Sequence, residues 1–134
     1  MKPDIRNRED LLLLVTSFYN KLLADNSINY LFTEVAKIEL PHHLEILVDF
    51  WDSVLFQNDT YRKNAMLPHM VLHQKSSLQK HHFETWLNYF NKTVDELFIG
   101  EKAFVAKERA LSIATVMQIK INQSNSLQDT PINN

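Results

Sequence analysis

Glycine scarcity sets the strongest limit on how this chain folds: among 134 residues there is one glycine, Gly100. Phosphate-binding loops of the Walker A and dinucleotide types need several glycines, because their backbone must approach the phosphates closely. Tight β-hairpin turns also favour glycine or Asn-Gly pairs. Nucleotide-binding α/β folds and all-β folds are therefore disfavoured, and an all-α fold is predicted.

The remaining composition narrows the class of protein further. A chain of 134 residues suits one domain with one sizeable core. Its formal net charge is −2, so the chain has no excess of positive charge to attract nucleic acid or an anionic membrane, and neither is an expected partner. It has no cysteine, which excludes disulfides and thiolate chemistry. No apolar run approaches the roughly 20 residues that span a bilayer, and the amino terminus lacks the apolar segment of a signal peptide. We expect a soluble cytoplasmic protein.

Apolar residues recur at helical spacing in most of the chain, which predicts five or six helices in one domain over residues 1–122. Asn7 is the expected cap of the first helix, Pro41 suits the first turn of another, Ser77 is a candidate cap, and Gly100 marks a break. The predicted helical stretches are 11–25, 28–36, 42–56, a short one opening at Pro68, one after Ser77, and 101–121. The polar tail, residues 123–134, is expected to be disordered.

Two of the six histidines lie among apolar residues at the middle of the chain, in the segment MLPHMVLH. A haem proximal ligand needs an imidazole held against an apolar porphyrin face, with its second nitrogen donating to an acceptor. Either His69 or His73 can serve, since they lie one helical turn apart. The pair can instead chelate a divalent metal at i, i+4 spacing, or His73 can be a solvated residue.

A third histidine, His43, shares a predicted helical face with Leu47, Phe50 and Trp51. One interpretation is a helix-end histidine at the edge of a core. The other is a polar gate above an apolar pocket.

Tyr19 and Trp86 lie beside strongly apolar faces, and each carries a hydrogen-bond donor that needs a partner when buried. Core packing explains both residues equally well. If they face a haem iron instead, their O–H and N–H groups stabilise bound oxygen as it gathers negative charge.

Other helical classes fit less well. A di-iron bundle needs two Glu-x-x-His motifs, and the only copy, from Glu39 to His42, contains Pro41. A cofactor-free interaction or regulatory module, with aromatics as core and histidines on the surface, stays open as an alternative. So does a non-haem metal-binding protein.

The order and spacing of several segments resemble the third group of truncated haemoglobins, over nearly the whole chain up to about Ile121. The segments that carry the resemblance are LVTSFYNKLLAD, INYLF, HHLEILVDFWDSVLF, YRKNAMLPHMVLH, LQKHHFETWLNYFNKTVDELF and AKERALSIATVM. The resemblance implies a two-over-two helical sandwich around haem b. The single glycine agrees with it, because the third group lacks the paired glycines of the other two.

The resemblance also implies a role for individual residues. His69, rather than His73, matches the proximal iron ligand. Tyr19 and Trp86 match the distal donors to bound oxygen, and His43 matches the histidine at the pocket entrance. Phe32 matches the phenylalanine that wedges against the porphyrin. Further pocket-lining positions are Leu47, Phe50, Trp51, Met66 and Phe83, and Arg62 and Lys63 lie in a loop suited to the propionates.

The implied function is binding of O₂ and related small ligands, namely NO, CO or peroxide, at a haem iron. Two distal donors slow the release of O₂, which favours ligand redox chemistry of a NO dioxygenase-like or peroxidase-like kind over bulk oxygen transport. Repeated turnover in such chemistry requires an electron donor, such as a reductase.

Overall fold

Four α-helices and one π-helical turn make up the described part of the protein in the computed structural model, which covers residues 1–58, His73 and residues 77–129. The helices are α1 (Arg8–Ala24), α2 (Leu40–Phe56), α3 (Lys80–Leu97) and α4 (Glu101–Asp129), and the π-helical turn is Leu31–Val35. The all-α fold predicted from glycine scarcity and apolar spacing is confirmed.

Helix α1 begins where the sequence predicts. The side chain of Asn7 accepts a hydrogen bond from the backbone N–H of Asp10 at 3.0 Å, which satisfies one of the free donors of the first turn. Leu11, Leu14 and Phe18 recur at intervals of three and four residues and are all buried. This face of α1 packs against both α2 and α3.

The chain between α1 and α2 forms a wider turn than an ordinary α-helix. The backbone N–H of Ala36 donates to the carbonyl of Leu31 at 2.9 Å, which closes a π-type turn. Lys37 then adopts a left-handed conformation, with φ of 51°, and the turn ends. The predicted short helix or turn over 28–36 is present as this π-helical turn, a form often found at functional sites.

Helix α3 begins two residues beyond the predicted cap. Gln79, not Ser77, is its N-cap, and the backbone N–H of Gln79 donates to Nδ1 of His82 at 2.9 Å. His82, the third residue of the helix, thus accepts a hydrogen bond from the backbone N–H of the N-cap residue, as the N3 side chain does in a capping box. Sequence patterns for helix caps are built on serine, threonine, aspartate and asparagine, so they predict Ser77 and do not identify histidine in this role.

The amino-terminal segment caps the last helix from far away in the sequence. The carboxylate of Asp4 accepts hydrogen bonds from the backbone N–H groups of Lys102 and Ala103, each at 2.9 Å. Gly100 precedes them with φ of 145°, and a Cβ at Gly100 would lie 2.5 Å from Cγ of Asp4. The lone glycine is therefore required both by its backbone conformation and by the close approach of Asp4. Helix α4 continues to Asp129, past its predicted end at Ile121.

Replacing Asp4 by alanine is expected to lower the free energy of unfolding by about 1–2 kcal/mol, the usual effect of losing a helix cap. Burial raises the pKa of Asp4, but its backbone donors at Lys102, Ala103 and Ile5 outweigh burial and hold that pKa below its ordinary value. A lowered folded-state pKa means that the stabilisation is complete above the unfolded-state pKa and disappears as the pH falls through the folded-state pKa.

Denaturant unfolding of Asp4→Ala and the parent chain between pH 7 and pH 2 tests this prediction. The stability difference should be constant near neutrality and shrink below the ordinary carboxyl pKa of 3.8. Asp4→Asn is the matched control: it retains an acceptor, so its loss at neutral pH is smaller than that of Asp4→Ala. That loss shrinks over the same pH range, because the carboxylate that titrates is in the parent. A difference for Asp4→Ala that persists unchanged at pH 2 would contradict the capping role.

The helices pack in two pairs, α1 with α2 and α3 with α4, and the pairs meet through α1–α3 and α2–α4 contacts. Arg8 of α1 also forms ion pairs with Asp49 and Asp52 of α2, at 2.7 and 3.1 Å. In the described ranges, none of these helices combines the length and the apolar character needed to cross a membrane.

Candidate functional site

Tyr19 and His43 meet where α1 and α2 pack together. Tyr19 lies near the carboxyl end of α1 and is 4% exposed. His43 lies in the first turn of α2, and its Nε2 is 2.7 Å from the Tyr19 hydroxyl oxygen. The ring of Phe32, from the π-helical turn, lies edge-on to Tyr19 with centroids 5.3 Å apart. Three of the predicted site residues, from three different elements, are thus in direct contact.

Burial raises the pKa of the Tyr19 phenol well above its ordinary value. The group therefore stays protonated at every physiological pH and keeps one O–H to donate. In the Nδ1–H tautomer of His43, Tyr19 donates to Nε2. In the Nε2–H tautomer, His43 donates to the phenol oxygen and the Tyr19 O–H is released toward another acceptor.

Trp86 approaches the same site from α3. Its ring lies 5.7 Å from that of Phe18, which is the neighbour of Tyr19 on α1, and it stacks on Phe90 at 5.9 Å. The indole is half-buried. Among the described residues, no acceptor forms a hydrogen bond with its N–H. Trp86 therefore keeps a donor beside an aromatic cluster that includes Tyr19.

The predicted lining residues divide into two groups. Leu47 and Phe50 follow His43 along one face of α2 and are only partly buried. Trp51 and Phe83 are buried in the core, and Trp51 stacks on Phe90 at 5.0 Å. Four further predicted residues lie outside the described residues: Arg62, Lys63, Met66 and His69.

His73 is buried rather than solvated, at 8% exposure, which corrects one of the interpretations left open by the sequence. Its Nδ1 accepts a hydrogen bond from the backbone N–H of Leu78 at 2.9 Å. A neutral imidazole whose Nδ1 accepts must carry its proton on Nε2. In this arrangement neither ring nitrogen has a lone pair left for a metal.

A second tyrosine–histidine pair was not singled out from the sequence. The Tyr30 hydroxyl lies 2.9 Å from Nε2 of His82, and His82 is 4% exposed. Burial, reinforced by the neighbouring His81, lowers the pKa of His82, so its ring is neutral at physiological pH. The only sequence signal was the position of His82 three residues after Gln79, where a capping-box side chain belongs.

No protein-family model matches this chain, and no curated protein matches it. Among solved structures, the chain is similar to the group III truncated haemoglobin from Campylobacter jejuni. That similarity has a TM-score of 0.78 at 22% sequence identity, and it covers 90% of this chain and 95% of the other. The chain therefore has the fold of a group III truncated haemoglobin, as its sequence predicted.

Proposed function

We propose that this protein binds haem and, at the haem iron, O₂ and related diatomic ligands. The observation that carries the proposal is the buried Tyr19–His43 hydrogen bond of 2.7 Å, set beside Phe32 at one end of the α1–α2 pair. Burying a tyrosine hydroxyl costs free energy unless the hydroxyl forms a hydrogen bond, and Tyr19 forms one with His43. When His43 is the donor in that bond, the Tyr19 O–H can donate to a further polar group.

The described residues fit a haem in their chemistry. Four partly buried apolar side chains supply the kind of surface that a flat porphyrin needs; they are Phe32, Leu47, Phe50 and Trp86. Phe32 contacts Tyr19 directly, Leu47 and Phe50 follow His43 along α2, and Trp86 contacts Phe18 beside Tyr19. Tyr19 and Trp86 bring donors to the same cluster. Haem, when bound, supplies the iron that takes the diatomic ligand.

Tyr19 is the residue we assign to stabilise the bound ligand. Its phenol remains protonated because burial raises its pKa, and it donates whenever His43 is in the Nε2–H tautomer. His43 then orients the phenol rather than competing for its proton. Trp86, whose indole N–H is not bonded within the described ranges, is the second donor.

We assign His69 as the proximal ligand, following the resemblance. The geometry at His73 supports that choice, because its Nδ1 already accepts from the Leu78 backbone N–H. A ligating histidine has the opposite arrangement, with the second nitrogen donating to an acceptor. For His73 to bind iron it would have to turn out of its buried hydrogen bond.

We further propose redox chemistry on O₂, NO or peroxide in the cytoplasm, with an electron donor such as a reductase, rather than bulk oxygen transport. Each donor contributes roughly 1 kcal/mol, or up to about 3 kcal/mol to a strongly anionic ligand. Two donors together slow ligand release by on the order of a hundredfold or more. Slow release suits a protein that transforms its ligand.

The absorption spectrum of the purified protein tests haem binding. We expect a Soret band that survives gel filtration, and, for haem-depleted protein, a haemin titration that saturates at about one haem per chain. A b-type haem should extract into acidified butanone. A folded, colourless protein that does not take up haemin would overturn the proposal in favour of a cofactor-free module, and bound iron or zinc without a Soret band would favour a non-haem metal protein.

A further inference from the structure

The Tyr30–His82 hydrogen bond joins two segments that are 52 residues apart in the sequence. Tyr30 immediately precedes the π-helical turn, and His82 lies in the first turn of α3. The two rings also touch, with centroids 5.9 Å apart and tilted by 64°. A polar contact of this kind fixes both the distance and the direction between the segments.

The direction of this hydrogen bond follows from its neighbour. Nδ1 of His82 accepts from the backbone N–H of Gln79 at 2.9 Å, so the proton of the neutral ring is on Nε2 and is donated to the Tyr30 oxygen. The ring cannot pass a proton onward without losing its bond to Gln79. The pair is therefore a fixed structural link and not a proton relay.

Each partner of this link is next to a residue of the candidate site. Tyr30 is two residues before Phe32, whose ring contacts Tyr19. His82 is one helical turn before Trp86, whose ring contacts Phe18. Phe18 and Tyr19 are themselves in edge-to-face contact at 5.5 Å. The link thus spans the two segments that hold Phe32 and Trp86 on either side of this aromatic pair.

We propose that Tyr30 and His82 are positioning residues, which act together as a clip that holds Phe32 and Trp86 in place around Tyr19. The proposal rests on the haem-binding function proposed above, because Trp86 is one of the two assigned ligand donors. The clip sets where the Trp86 N–H points, without itself touching the bound ligand.

A double-mutant cycle of Tyr30→Phe and His82→Asn tests the clip. Tyr30→Phe removes the hydroxyl and leaves the ring. His82→Asn places an amide oxygen where Nδ1 lies, so the bond from Gln79 is kept while the donor to Tyr30 is lost. The matched control is Tyr89→Phe, which removes another tyrosine hydrogen bond of α3, the 2.6 Å bond to Asp25. Tyr89 lies one helical turn after Trp86, as His82 lies one turn before it, so the control removes a bond at a similar distance along the helix.

Two readouts distinguish positioning from general stability. The first is the Trp86 indole N–H resonance in ¹H–¹⁵N NMR of the chain, and the second is the C–O stretching band of the CO-bound ferrous protein. Both clip variants should shift the indole resonance and shift or broaden the band, and should raise the O₂ dissociation rate by about twofold to tenfold. The double variant should do no more than the larger single one, because both remove the same bond.

Tyr89→Phe should lower the melting temperature and leave both signals in place. Clip variants that lower the melting temperature but leave the indole resonance and the C–O band unchanged would overturn the clip, and so would additive effects in the double variant. The indole readout also works on protein without haem. A chain that binds no haem therefore refutes the proposed function, whereas an unchanged indole resonance refutes the clip alone.

Discussion

Replacement of His69 by alanine is expected to abolish the absorption and resonance Raman signature of imidazole-coordinated haem iron, whereas His73→Ala retains it. A haem held without its proximal bond loses the main fixed contact to the protein, so His69→Ala should bind haemin weakly or not at all. His73→Ala should still fold around haem. It should lose about 1–3 kcal/mol of stability, because the buried N–H of Leu78 then has no acceptor.

The comparison is made with spectra of the ferric, ferrous and CO-bound forms of both variants. His73→Asn is the matched control, because its amide oxygen lies where Nδ1 was and can accept from Leu78, so its stability should exceed that of His73→Ala. Added imidazole should restore a five-coordinate ferrous spectrum to a His69→Gly variant. Loss of the signature in His73→Ala alone would reverse the assignment of the ligand.

Replacement of Tyr19 by phenylalanine is expected to raise the O₂ dissociation rate by about fivefold to a hundredfold. The lower figure follows from a neutral hydrogen bond of about 1 kcal/mol, and the upper from one of about 3 kcal/mol to an anionic ligand. The edge-to-face contacts of Tyr19 with Phe18 and Phe32 are retained by the phenylalanine ring, so the fold should be little affected. Stopped-flow mixing of the O₂-bound protein with CO measures the rate.

The dissociation rate of CO is the internal control, because bound CO carries less negative charge and should respond far less to the loss of a donor. The parent protein's O₂ dissociation rate should also show no step at pH 10, the ordinary tyrosine pKa, because burial raises the pKa of Tyr19 above it. An O₂ dissociation rate that is the same in Tyr19→Phe and in the parent would remove Tyr19 from the ligand site.

Much of the fold was predictable from local sequence. Asn7 caps α1 as expected, since an asparagine side chain bonds to a backbone group only three residues away. Apolar residues at intervals of three and four mark the buried faces of helices, because those residues share one side. The break at Gly100 was also visible. The cap of α3 was misplaced at Ser77, because the residue that completes the cap is His82, which sequence patterns for capping do not include.

For the candidate site, the sequence predicted a set of residues but not how they meet. Tyr19, Phe32, His43 and Trp86 were named from the sequence and its resemblance, and the structure places the first three in direct contact. The link from Trp86 to Tyr19 through Phe18 depends on how α3 crosses α1. From the residues alone, His69 and His73 were equally good candidates for the iron ligand, because their spacing does not reveal what each ring nitrogen binds.

Whether a feature could be predicted from the sequence depends on how far apart in the chain the interacting residues lie. Helix caps, apolar faces and the glycine break depend on residues within a turn or two, so glycine scarcity and apolar spacing by themselves determined an all-α chain. The protonation of His73 and His82, and the meeting of Tyr30 with His82 and of Asp4 with α4, depend on partners brought together by folding. Hydrogen-bond direction is set by the neighbouring groups, and only the tertiary structure decided which groups those are.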